Sequence, residues 1–305
     1  MQEKNTTYKV LGLVASKRKL GNSEVLVKEA LSQARKLGAE VAILRLTDFN
    51  FEYCRGCLRC IFLSQQCEIK DDLEFLFSQI VEANGIIVGS PTYGMFPPAV
   101  IKLIMDRSGS FYARNNIFPQ QKAVIISIAG SKGLDSFTIP MLSMFLYSLN
   151  MKKLDIVSTV SVYSPGPSQS LLDQNNIDQA GNLGKTLMKA LNNEMINSLK
   201  VNKRCLICGA NFFILEDEMI ICPICLSHGK ISQGILEWDE ESLKNHRFTA
   251  SQSEKFVNEW IKESKTVFKK QANLIVKLRN KYRDNQMGIH FLNNHNQLNG
   301  NPGDE

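Results

Sequence analysis

Several features are missing from this 305-residue chain, and each absence removes a class of protein. No stretch approaches the run of about 20 apolar residues that a membrane span needs. The N-terminus, MQEKNTTYKV, has no apolar core of the signal-peptide kind. A soluble, cytoplasmic protein is therefore expected. Internal repeats are absent, and so is any evident acid–base or nucleophilic side-chain constellation. The first strand–helix loop carries neither the GxGxxG of dinucleotide folds nor the GxxxxGKS/T of nucleotide triphosphatases. No cysteine stands alone either. All eight fall into two sets of four, at 54, 57, 60, 67 and at 205, 208, 222, 225. Disulfides rarely persist in a reducing compartment, so clustered CxxC pairs with none left over point to metal.

What is present is ordinary for a globular chain, 44% hydrophobic and 22% charged, long enough for one large domain and something smaller. The net charge of +6 is uneven. Between Lys262 and Arg283 eight basic residues face one acid, Glu263. The run reads as a solvated helix face, with a patch for nucleic acid or an acidic redox partner as the alternative.

Apolar runs at Tyr8–Ala15, Val41–Leu46, Gly85–Gly89, Lys122–Ala129 and Leu154–Val162 read as buried parallel strands. Helical spacing follows each: after Asn22 up to a C-capping Gly38, from Asp71 and Asp72 through Ala83, over Ala99–Ser108, over Thr138–Asn150 and over Asp178–Asn197. This alternation predicts an α/β fold, a doubly wound five-stranded parallel sheet with helices on both faces. Near residue 199 the pattern stops and a short cysteine unit begins. A last helix is predicted over Ser251–Asp284, with Ser251 and Glu254 at capping-box spacing. Its stripe of Phe256, Trp260, Val267, Leu274, Leu278 and Tyr282 reads as a docking surface. The expected divisions are 1–198, 199–235, 236–285 and a disordered tail at 286–305.

The loop Ser16-Lys17-Arg18-Lys19-Leu20-Gly21-Asn22-Ser23 suits a phosphate: a helix start offers unpaired N–H groups, and Ser16, Ser23, Asn22 and Arg18 add donors and charge. Gly21 allows a close turn. The run S-x-R-x-x-G-N-S resembles the phosphate loop of the NADPH-dependent FMN reductase family, within the flavodoxin-like superfamily. Ser90-Pro91-Thr92-Tyr93-Gly94 is similar to that family's second flavin loop, and Ala129-Gly130-Ser131-Lys132-Gly133 occupies its third flavin-contacting position. Lys102 and Asp106-Arg107 on the intervening helix fit the same pattern. The resemblance spans roughly residues 8–195, with Ala15 standing where relatives often have glycine. It implies sheet order 2-1-3-4-5, FMN as cofactor, a phosphate held by Ser16, Arg18, Gly21, Asn22 and Ser23, and a flavin ring lined by Pro91, Thr92, Tyr93, Gly94, Ala129, Gly130 and Gly133.

Cys54-x2-Cys57-x2-Cys60-x6-Cys67 follows the second strand. Three cysteines at such intervals can wrap three corners of a cubane cluster, and a fourth can close it. Zinc is possible, though CxxCxxC is cramped for a tetrahedral site. This spacing on this fold resembles the iron–sulfur flavoprotein subfamily, which implies a 4Fe–4S cluster here. Cys205-x2-Cys208 and Cys222-x2-Cys225, thirteen residues apart, form a second site for four thiolates. It resembles both rubredoxin-like units and zinc ribbons, so it takes one zinc or iron; Leu226, where rubredoxins often carry glycine, favours zinc.

The resulting expectation is an FMN-dependent oxidoreductase that passes electrons between a 4Fe–4S cluster, FMN and an outer carrier: ferredoxin, NAD(P)H, a quinone or an oxygen species. The resemblance also implies a homo-oligomer, dimer or tetramer. No membrane and no nucleic acid belong to this reading. The alternatives are an NAD(P)H-dependent FMN or quinone reductase without a cluster, and a non-enzymatic flavin-sensing regulator that binds nucleic acid.

Overall fold

The computed structural model describes residues 7–150, 153–194, 204–233 and 235–283. Its first strand, β1 (Lys9–Val14), buries five of its six residues. That is the pattern of a strand covered on both faces. Then follow α1 (Asn22–Lys36), β2 (Glu40–Arg45), α2 (Leu73–Glu82), β3 (Gly85–Pro91), α3 (Ala99–Asp106), α4 (Ser108–Ala113), β4 (Gln121–Ala129), α5 (Thr138–Leu149), β5 (Leu154–Tyr163) and α6 (Gln174–Leu191). The five strands are parallel, in the order β2-β1-β3-β4-β5. The doubly wound flavodoxin-like sheet expected from the sequence is present.

Successive strand residues face opposite ways, so the sheet carries two cores. Leu11, Leu13, Ile86, Val88 and Ile125 pack with Leu76, Ile101, Phe111 and Phe145 from α2–α5. Val10, Val14, Ile87, Val124 and Ile126 pack with Leu26, Val27, Leu183 and Leu187 from α1 and α6.

The elements differ from the sequence expectation in four places. The helix expected over Ala99–Ser108 stops at Asp106, and Arg107 occupies a break before α4. The helix expected to start at Asp178 starts at Gln174, because the Asp173 side chain caps it by accepting from the Asn175 N–H at 3.0 Å. The second cysteine unit folds as a four-stranded antiparallel sheet, β6 (Ile214–Glu216), β7 (Met219–Ile221), β8 (His228–Ser232) and β9 (Ile235–Trp238), and so runs past residue 235. A short helix, α7 (Glu240–Lys244), follows, capped by Asp239. Finally, the last helix is not one regular helix but α8 (Ala250–Lys255), a π-helical stretch Phe256–Lys262 and α9 (Glu263–Arg283). Thr249 Oγ1, not Ser251, accepts the Gln252 N–H at its start (3.3 Å).

Residues up to Ser253 form one compact unit and those from Glu254 another. Within the second, Trp260, Val267, Leu274 and Leu278 are exposed. The Tyr282 side chain, Asp284 and the tail 286–305 lie outside the described residues. Among the described residues no helix is long and apolar enough to cross a membrane.

Candidate flavin edge and two cysteine sites

The three loops expected to hold a flavin leave the carboxyl ends of β1, β3 and β4, which are neighbours in the sheet. Ligands bind at this edge in doubly wound sheets. Ala15 N–H donates to the Gly89 carbonyl (3.0 Å) and Thr92 N–H to the Ile128 carbonyl (2.7 Å), so the loops start from fixed points.

The first loop is built around α1. Gly21 is its N-cap, and its first N–H groups point to the loop without helical partners. Lys17, Arg18 and Lys19 are exposed, Ser16 and Ser23 buried. Ser16 Oγ accepts from the Arg18 N–H (3.2 Å). Asn22 does not present its side chain to a ligand. Its amide donates to the carbonyls of Ser164 (3.1 Å) and Gly166 (2.8 Å) and accepts from the N–H and Oγ of Ser170, each at 3.0 Å. The Asn22 side chain thus ties the β5–α6 loop to the start of α1. Two further clamps were not evident in the sequence. Thr47 Oγ1 donates to the Ser16 carbonyl (3.1 Å). Buried Glu24 accepts from the Leu20 N–H (2.8 Å) and pairs with Lys28 (2.6 Å) and Arg45 (3.6 Å). Burial works to raise the Glu24 pKa, but the hydrogen bonds from Lys28 and Leu20 and the charges of Lys28 and Arg45 outweigh it and hold the carboxyl below its ordinary value.

In the second loop Tyr93 and Phe96 exchange backbone hydrogen bonds of 2.8 and 3.1 Å across Gly94 and Met95. Both central residues have positive φ, +56° and +73°, the type I′ pattern that favours glycine, asparagine or aspartate. Tyr93 is 51% exposed, so it is not a core aromatic. Thr92 Oγ1 shares a hydrogen bond with Thr138 Oγ1 (2.8 Å) at the start of α5. In the third loop Gly130 to Gly133 are exposed, whereas Asp135 is buried. Asp135 Oδ2 and Ser164 Oγ are buried at this edge without a hydrogen-bond partner.

The first cysteine set lies between β2 and α2. Cys54 and Cys57 are exposed, Cys60 and Cys67 half-buried. The Gly56 N–H donates to Cys54 Sγ (3.4 Å). Cys60–Ser64 form a π-helical turn packed on α4, where a Cβ on Gly109 would lie 3.1 Å from Cys60 Sγ. Burial, then the neighbouring thiols of Cys67, Cys57 and Cys54, push the Cys60 thiol up.

Beside this set stands an ion pair. The side chains of Arg107 and Asp71 are 1% and 0% exposed. Arg107 Nη1 donates to Asp71 Oδ2 and reaches the Glu52 carbonyl at 3.4 Å. Asp71 also accepts from the N–H groups of Glu52 (2.8 Å) and Leu73 (3.2 Å). Asp71, expected as a helix-opening acid, is instead the buried anchor of the cysteine loop. Burial lowers the Arg107 pKa, but Asp71 and the adjacent Cys67 sulfur reverse this and raise it. Its Nε and Nη2 are buried with no nitrogen or oxygen acceptor among the described residues, and the Cys67 sulfur lies beside the guanidinium.

The second set is closed. Cys205, Cys208, Cys222 and Cys225 are buried, with all four sulfurs within 4.8 Å of one another, and no other such group of ligands occurs among the described residues. The Cys205–Cys225 and Cys208–Cys222 sulfurs are 3.3 and 3.4 Å apart. A tetrahedral metal with bonds of about 2.3 Å to sulfur sets its ligands about 3.8 Å apart, so the four thiols are nearly in place for one. The two knuckles repeat each other. Gly209 and Leu226 N–H donate to the Cys205 and Cys222 carbonyls, both at 2.9 Å. Both residues are left-handed, φ +70° and +63°. Leu226 therefore takes the glycine conformation despite its side chain. The unit docks on α5: Ser143 Oγ donates to the Cys208 carbonyl (3.0 Å), Tyr147 OH to that of Ile207 (3.3 Å), and Tyr147 stacks on Phe248 at 4.4 Å. Phe96, Phe137 and Phe212 form an aromatic row, at 4.8 and 5.2 Å, from the second flavin loop to the knuckle.

The strand order and the loops at its carboxyl edge define a doubly wound protein of flavodoxin type. The family described as NADPH-dependent FMN reductase matches residues 8–161, and the chain belongs to it. It is 37% identical over 113 residues to an iron–sulfur flavoprotein of Methanocaldococcus jannaschii, covering 36% of this chain and 58% of that protein. It is 32% identical over 102 residues to an iron–sulfur flavoprotein of Archaeoglobus fulgidus, covering 32% and 50%. The chain thus spans about half the length of these relatives. A solved structure titled flavone reductase shares the fold over 97% of this chain and 100% of its own, with a TM-score of 0.61 at 18% identity.

Proposed function

We propose that the chain is an FMN-dependent oxidoreductase carrying a 4Fe–4S cluster on Cys54, Cys57, Cys60 and Cys67, with a ferredoxin, NAD(P)H, quinone or oxygen-class carrier as its outer partner. The observation that carries this reading is the position of the four-cysteine loop. It leaves β2 at the edge that also bears the three flavin loops, and Thr47 at its root donates to the Ser16 carbonyl of the phosphate loop (3.1 Å). Flavin exchanges electrons in pairs or singly and a cluster singly, so together they convert between hydride-type and one-electron carriers.

The residues present suit both groups. The N–H groups of the first turn of α1, the positive end of its dipole, and exposed Lys17, Arg18 and Lys19 would hold the FMN phosphate. Pro91, Thr92, Tyr93, Gly94, Ala129, Gly130 and Gly133 would line the ring. The orphaned atoms of Asp135 and Ser164 supply polar partners at the same edge. Toward a cluster, the Gly56 N–H donates to Cys54 Sγ and the buried Arg107 guanidinium lies beside the Cys67 sulfur. Cys205, Cys208, Cys222 and Cys225 would bind one zinc or iron, which holds the knuckle against α5.

A second reading, a cluster-free NAD(P)H-dependent FMN or quinone reductase, is favoured by the exposure of Cys54 and Cys57. Stopped-flow measurements on Cys60→Ser separate the two. The first reading expects NAD(P)H still to bleach the flavin but electron delivery to a ferredoxin-type acceptor to fall at least about tenfold. Unchanged transfer to that acceptor supports the second.

A further inference from the structure

The buried Arg107–Asp71 pair beside the first cysteine set is a feature that the fold does not account for by itself. A guanidinium has five N–H donors in a rigid fork. Here one arm is fixed on Asp71, and the donors on Nε and Nη2 are buried with the Cys67 sulfur beside them and no nitrogen or oxygen acceptor among the described residues. A buried donor left unmade is unfavourable, and the fork has more free N–H groups than the one Cys67 sulfur can take, so a further acceptor beyond the polypeptide is called for. The Cys67 sulfur is adjacent, and α4, directly after Arg107, packs on the turn that carries Cys60.

We propose that Arg107 is a positioning residue for the cluster, its Nε–H and Nη2–H donating to the Cys67 sulfur and an adjoining cluster sulfide. Hydrogen bonds to cluster sulfur stabilise the more negative, reduced state and raise the reduction potential. Asp71 orients the fork and, as an anion, opposes that rise. The inference rests on the cluster reading above.

The test is an EPR-monitored redox titration of anaerobically purified Arg107→Lys and Asp71→Asn. Lysine keeps the charge but loses the planar fork. Its cluster is expected to hold about tenfold less reduced form at a fixed potential, a fall of about 59 mV for one electron. Asp71→Asn is expected to shift the cluster upward. An unchanged cluster potential in Arg107→Lys, or shifts of both variants in one direction, overturns the proposal, since mere loosening of the loop moves both alike. If neither variant assembles a cluster, the wild type decides: its iron–sulfur stretching bands shift in heavy water if N–H···S bonds are present, and an absence of shift overturns it. Wild-type protein without iron and sulfide would instead reject the cluster reading itself.

Discussion

Individual residues explain where the chain departs from its simplest sequence reading. Leu226 occupies the left-handed position that Gly209 takes in the sister knuckle, φ +63° against +70°. A left-handed residue with a Cβ is unfavourable by roughly 1–2 kcal/mol, and Leu226 is 49% exposed, so its side chain contributes little burial in return. Leu226→Gly is expected to stabilise the metal-loaded protein by about 1 kcal/mol in urea unfolding. Glu24 sets a pH dependence. Its folded pKa lies below the ordinary 4.5, so the stability it adds is present above that value and fades as pH falls through the depressed one. Glu24→Gln should therefore show a shallower loss of stability than wild type below about pH 4.5, measured by denaturant midpoints across that range. The glycine that rubredoxins often carry after the last cysteine marked position 226, though not its left-handed backbone; the role of Glu24 was not legible, because an acid in the first turn of a helix ordinarily reads as exposed.

At the level of elements, α5 joins the flavin edge to the knuckle. A Cβ on Gly209 would lie 2.7 Å from Ile139 Cγ2, in a backbone conformation that also disfavours it. Gly209→Ala should undock the unit, seen as faster hydrogen exchange over β6–β9 and at Tyr147, with strand exchange in β1–β5 unchanged. The parallel strands and their loops were readable because each is a short apolar run ended by polar turn residues. So were the two cysteine sets, because metal-ligand spacing is local. The helix break at Arg107 and its pairing with Asp71 were not, since the partners lie 36 positions apart and each sits where a helix normally shows charge to water. The strands of the knuckle are three to five residues long, too short for periodicity to show. The π-helical stretch from Phe256 likewise keeps the apolar spacing of a regular helix in its sequence while changing the turn.

Taken as a whole molecule, the chain combines three sulfur- and flavin-oriented sites of different openness. The loops at the sheet edge are exposed and polar, the first cysteine set is half open, and the second is closed and buried. This gradation fits exchange at the first two and structural metal at the third. A chelator is accordingly expected to strip the knuckle metal only under denaturant, with loss of the β6–β9 signal, while FMN stays bound. The central claim is that the first set carries a 4Fe–4S cluster beside FMN, and metal analysis of anaerobically purified wild type, Cys54→Ser and Cys208→Ser tests it most directly. The account predicts FMN, about four cluster iron with four sulfide, and one further zinc or iron in the wild type, loss of the sulfide and its iron in Cys54→Ser, and loss of the separate zinc or iron alone in Cys208→Ser. A yellow wild-type protein that holds FMN but no acid-labile sulfide would contradict it.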